Sequence, residues 1–64
     1  MIVNGEQCTF ERPLSVMQLI ELRGLDPQRV AVELNGDIVP RAQRDTTMLT
    51  ESDTVEIVSF VQGG

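Results

Sequence analysis

A chain of 64 residues, 41% hydrophobic and 23% charged, is sized for one folded domain and is too apolar for a disordered segment. Its net charge of −5 argues against nucleic acid, whose phosphates are held by clustered Lys and Arg. One cysteine, Cys8, and no histidine leave no internal disulfide, no zinc ligand set and no Cys-His pair. All five basic residues are arginines (Arg12, Arg23, Arg29, Arg41 and Arg44), so no lysine is available as a catalytic amine.

The longest apolar runs, such as Met1-Ile2-Val3 and Val30-Ala31-Val32, fall far short of the ~20 residues that cross a bilayer. The start also lacks the basic region, long apolar stretch and cleavage site of a secretory leader. The expectation is a cytoplasmic, monomeric domain over residues 1–64 with no membrane contact and a flexible tail over residues 62–64.

Met1-Ile2-Val3, Asn4-Gly5 and the alternating Cys8-Thr9-Phe10 read as two strands around a hairpin turn, because Asn-Gly supplies the positive φ such turns need. Cys8 then reads as a small core hydrophobe, with a reactive thiol as the alternative. Arg12-Pro13 closes the second strand.

Ser15 and Gln18 have capping-box spacing, and Leu14 and Leu19 have that of a hydrophobic staple. A helix over 16–23 follows, with Val16, Leu19 and Ile20 on its buried stripe and Gln18, Glu21 and Arg23 facing water. Gly24 stops it, and Leu25 is set to meet Ile20 in a Schellman motif.

After a turn at Asp26-Pro27, Val30, Val32 and Leu34 alternate with Ala31, Glu33 and Asn35, and Asn35-Gly36 turns the chain back into Ile38-Val39. Pro40 falls at the end of that strand. Residues 41–50 have no period, and Met48 and Leu49 are expected to plug the core. Glu51-Ser52-Asp53 reads as a turn. Residues 55–61 are apolar on both alternating faces near their end, which predicts a central strand covered on both sides. This order suits an α+β, ubiquitin-like β-grasp fold: a mixed sheet of four to five strands, first and last parallel, with one helix packed across it.

The closing Gln62-Gly63-Gly64 has two readings. Terminal glycines are commonly loose and merely permissive. A working tail, in contrast, must thread a narrow enzyme cleft without side chains, which Gly63-Gly64 also satisfies. The Gly64 carboxylate is a poor electrophile until an activating enzyme, using ATP, gives it a leaving group. The chain lacks the phosphate-binding loop and catalytic side chains to do this itself, so it is expected to bind no cofactor or metal and to catalyse nothing. Phe60 and Val61, on opposite faces by alternation, either finish the core or anchor the tail in a partner's groove. Glu51, Asp53 and Glu56 form either a solvated face or a docking patch.

The segment Val32-Glu33-Leu34-Asn35-Gly36-Asp37-Ile38-Val39-Pro40-Arg41, the last strand Asp53-Thr54-Val55-Glu56-Ile57-Val58 and the closing Gly63-Gly64 together resemble the thiamine-biosynthesis sulfur carrier family (ThiS) over essentially the whole chain. The resemblance implies a cycle in which an E1-like adenylyltransferase adenylates Gly64. Sulfur from a cysteine-desulfurase persulfide then makes a thiocarboxylate, which a thiazole synthase consumes. Two departures stand out: family members often carry glycine where Ser52 stands and an aromatic residue near Arg44. The small subunit of molybdopterin synthase, a ubiquitin-like protein modifier and a plain β-grasp interaction module are the alternatives.

Overall fold

The computed structural model describes residues 1–60. Strands β1 (Ile2–Val3) and β2 (Glu6–Gln7) pair antiparallel around Asn4 and Gly5, at φ +51° and +83°. The second hairpin joins β3 (Val30–Leu34) to β4 (Asp37–Ile38) through Asn35 and Gly36, at φ +52° and +91°. Two successive left-handed residues give the mirror-image turn whose twist matches that of paired strands. The last strand, β5 (Thr54–Ser59), lies between the hairpins, so the order is β2-β1-β5-β3-β4. It runs parallel to β1 and antiparallel to β3. The expected α+β β-grasp architecture is the one observed.

Helix α1 spans Val16–Leu22, and its start is the expected capping box. The Gln18 amide donates to Ser15 Oγ at 3.1 Å, and the Ser15 amide donates to Gln18 Oε1 at 2.9 Å. The helix ends one residue before the predicted limit, with Arg23 as its C-cap. Gly24, at φ +70°, donates to the Glu21 carbonyl at 3.0 Å and Leu25 to that of Ile20 at 3.2 Å, which completes the Schellman motif. The Asp26-Pro27 turn is a single 3-10 turn, Pro27–Arg29, capped by the Gln28 amide donating to Asp26 Oδ1 at 2.9 Å.

Val16, Leu19 and Ile20 of α1 form one core with Val3, Val30, Val32, Val55 and Ile57 of the sheet. Leu14, Val39 and Leu49 close its margins. Three sequence expectations are corrected. The residues from Cys8 to Phe10 lie beyond β2: one more ladder bond, from the Cys8 amide to the Met1 carbonyl at 2.7 Å, ends the pairing, and Cys8 and Phe10 pack half-buried at the core's edge. Leu49 enters the core while Met48 stays 51% exposed, because neighbours in an extended stretch point opposite ways. Strand β5 is central but covered on one face only: Val55 and Ile57 are buried, and Val58 is exposed. Ser52 has no positive φ, so its turn makes no demand for glycine.

Each hairpin asparagine also braces β5. Asn4 Oδ1 accepts the Ile57 amide at 2.7 Å where β1 has run out. Asn35 Oδ1 accepts the Thr54 amide at 2.9 Å, and its Nδ2 donates to Asp53 Oδ1 at 3.0 Å. Asp53 Oδ2 accepts the Thr50 amide at 2.7 Å. The Asn35 hydrogen bond, reinforced by Thr50 and opposed by partial burial, holds the Asp53 carboxyl below its ordinary value. A carboxylate depressed in the folded state stabilises the fold above its unfolded pKa of about 3.9 and loses that contribution as pH falls through the lower folded value. Denaturant midpoints taken between neutral pH and pH ~2 should therefore fall more steeply for the wild type than for Asp53→Asn. Parallel curves would remove Asp53 from the acid response.

Candidate functional site

The sheet delivers the end of β5 to the surface beside the start of β3. The Phe60 amide donates to the Arg29 carbonyl at 2.7 Å and so adds one ladder bond beyond Ser59. Of the residues singled out for tail and docking, the structure places Phe60. Val61, Gln62, Gly63 and Gly64 lie outside the described residues.

Phe60 does not finish the core. It is 43% exposed and continues the open face of β5, on which Thr54, Glu56 and 53%-exposed Val58 alternate with buried Val55 and Ile57. On the neighbouring strands Ala31 faces Val58, Glu33 faces Glu56, and Ile2 faces Thr54. The open sheet is therefore apolar towards the β5 exit and acidic at its middle.

The three acidic residues grouped by sequence have different partners. Asp53 is committed to the turn with Asn35 and Thr50. A Glu51 oxygen lies 3.9 Å from the Met1 amine. Glu56 stands directly across from Glu33, a like-charge pairing that works against the sheet.

Arg44 was not recognisable as part of this region. It is 3% exposed, and its Nη1 donates to the Pro27 carbonyl at 2.8 Å and its Nη2 to that of Val30 at 2.6 Å. Burial, and secondarily the nearby Arg41, hold its guanidinium below the ordinary arginine value. Arg41 grips the same turn from outside, donating to Gln28 Oε1 at 3.2 Å and to the Gln28 carbonyl at 3.1 Å. The only local hint was Pro40, which follows β4 and leaves the carbonyl at the start of β3, that of Val30, without a strand donor.

Among the described residues no group of three or more His, Cys, Asp or Glu is placed to hold a metal. An open groove of about 400 Å³ bordered by Met1, Phe10, Met48 and Leu49 lies near the start of β5, the end away from Phe60. The Cys8 thiol is half-buried and donates to the Glu6 carbonyl at 3.6 Å. What the described part offers at the β5 exit is an exposed apolar surface around Val58 and Phe60.

The family model that matches this chain is that of the ThiS family, and it matches residues 1–64. The chain belongs to the ThiS family. The hairpin and last-strand resemblance implied that family. A crystal structure of a thiamine biosynthesis protein (ThiS) from Geobacter metallireducens superposes with a TM-score of 0.82 at 35% identity, covering 98% of this chain and 96% of that one. A thiazole synthase from Paramagnetospirillum magneticum is 36% identical over the whole chain, which spans only 20% of that protein's length. The uncharacterized protein ycf40 of Porphyra purpurea is 32% identical over 97% of this chain and 87% of its own length. No helix among the described residues is long and apolar enough to cross a membrane.

Within this ThiS-family sheet the facing glutamates have a measurable consequence. Glu33→Gln should raise the denaturation midpoint at low ionic strength, and the gain should fade with added salt as the repulsion is screened. An unchanged or lowered midpoint would show that the two side chains splay apart.

Proposed function

We propose that this chain carries sulfur on the Gly64 carboxylate, loaded by an E1-like adenylyltransferase and unloaded by a thiazole synthase. The observation that carries the reading is the match to the ThiS family over the whole chain, Gly63 and Gly64 included. A carboxylate oxygen of Gly64 attacks the α-phosphate of ATP and expels pyrophosphate, leaving an acyl adenylate. The terminal sulfur of a persulfide formed by a cysteine desulfurase attacks the acyl carbon and releases AMP. A thiol then cleaves the resulting acyl disulfide, which leaves the thiocarboxylate on Gly64 and a disulfide on the sulfur donor. The chain serves as substrate and donor while its partners supply the catalytic groups, ATP being bound by the activating enzyme.

Thiazole synthase as acceptor is supported by relatives of that name in which a segment like this chain makes up about a fifth of the protein. Carrier and acceptor chemistry then share one polypeptide, the arrangement that most raises their effective concentration.

A tail of four residues beyond Phe60 reaches at most roughly 14 Å when extended. An enzyme acting on Gly64 must therefore settle close to the β5 exit, where Val58 and Phe60 offer apolar contact. The Glu33 and Glu56 pair behind them favours a partner with basic groups at that position, mainly through faster association.

Intact mass spectrometry of the chain after incubation with the activating enzyme, ATP and a persulfide source should show one oxygen replaced by one sulfur at Gly64, and deletion of Gly64 should abolish the change. A protein modifier would instead give higher-mass adducts, and a plain interaction module an unaltered mass. Phe60→Ala should raise KM for adenylation about tenfold, the effect of a modest interface anchor, while the denaturation midpoint stays near that of the wild type. An unchanged KM would move docking away from this face.

A further inference from the structure

The backbone carbonyls of residues 27–30 are all engaged, and by an unusual set of donors. Pro27 and Val30 receive Arg44, Gln28 receives Arg41, and Arg29 receives the amide of Phe60. The ladder explains why side chains are needed here. Strand β4 pairs with β3 as far as the Val39 amide donating to the Val32 carbonyl at 2.9 Å. Pro40 then turns the chain away into the 3-10 turn Arg41–Gln43, and the Val30 carbonyl loses its expected strand partner. The Arg44 guanidinium takes that place and, through its second nitrogen, spans back to Pro27.

The segment so held is the one that receives the last ladder bond of β5 among the described residues. Its middle carbonyl, that of Arg29, is fixed between two carbonyls pinned by a single rigid, planar and buried group. We infer that Arg44 is a positioning residue for the carrier tail: by clamping residues 27–30 it fixes Phe60, and so sets where the tail leaves the sheet and faces the activating enzyme. Among the described residues Arg44 donates to the carbonyls of Pro27 and Val30. It acts through the Arg29 carbonyl and the Phe60 amide. This rests on the proposed loading of Gly64, which it deepens by naming what holds the launching point still.

Lysine keeps the charge but carries one nitrogen, which cannot repeat the planar two-carbonyl span; methionine removes both donors and keeps an unbranched apolar stem. Amide hydrogen exchange of the full chain gives the first test. In the wild type Phe60 should be protected, and in Arg44→Lys and Arg44→Met its exchange should speed at least tenfold while Val32 and Val55 keep their protection. The second test is pyrophosphate exchange catalysed by the activating enzyme, with the carrier concentration varied. Both variants should raise KM severalfold with kcat little changed, and Lys should not rescue.

A clamp that serves only global stability predicts that Phe60, Val32 and Val55 lose protection together and that KM is unchanged once all of the carrier is folded; either result overturns the inference. If Arg44→Met does not fold, Arg44→Lys carries the comparison. An unprotected Phe60 amide in the wild type would by itself overturn it. Failure of the wild-type chain to support any pyrophosphate exchange would instead count against the loading of Gly64, so the two ideas fail in different ways.

Discussion

The hydrogen bonds that pair β5 with β1 on one edge and with β3 on the other join the two ends of the chain, and the rest of the sheet is hung from them. Without β5 the sheet falls into two separate two-stranded hairpins, which are marginal in water. The parallel contact sets Ile2 beside Thr54, from opposite ends of the described chain. Because β1 is short, its ladder ends early, and Asn4 continues it by accepting the Ile57 amide. Asn35 does the same for the Thr54 amide on the other edge. The two residues that make the turns therefore also hold the strand between the hairpins.

That central strand divides the molecule by face. Val55 and Ile57 meet α1 and complete the only large apolar core among the described residues. Among the described residues the opposite face has no second layer, so Val58 and Phe60 are exposed, flanked by the Glu33 and Glu56 pair. Helix α1 covers one side of the five-stranded sheet, and on the other the described residues leave an apolar surface next to the exit of β5.

Arg44 shows what the short connection into β3 requires. Burying a guanidinium costs desolvation, and here two charge-assisted hydrogen bonds to carbonyls offset it, each worth about 1.5–3 kcal/mol. Its Nε has no hydrogen-bond partner among the described residues, so the compensation is incomplete. The arrangement persists because the Val30 carbonyl would otherwise be buried without a donor once Pro40 has turned the chain away from β3.

The amino-acid sequence by itself determined what neighbours decide: the capping box of Ser15 and Gln18, the Gly24 stop, both Asn-Gly turns and the alternation of β3 each depend on residues a few positions apart. Their order was enough for the β-grasp topology, and Gly63 and Gly64 were singled out there as well, although they lie outside the described residues. Tertiary structure alone decided that β5 has one open face, that Met48 points outward while Leu49 points in, that Asn4 reaches Ile57, and that Arg44 is buried against Pro27 and Val30. Apolar residues near the end of a strand look the same whether a second layer covers them or a partner does. An arginine in an aperiodic stretch reads as solvated until the carbonyls that need it have been brought alongside. Those carbonyls lie 14 and 17 residues away from Arg44, and the Ile57 amide lies 53 residues from Asn4, distances over which only the folded chain sets the contact.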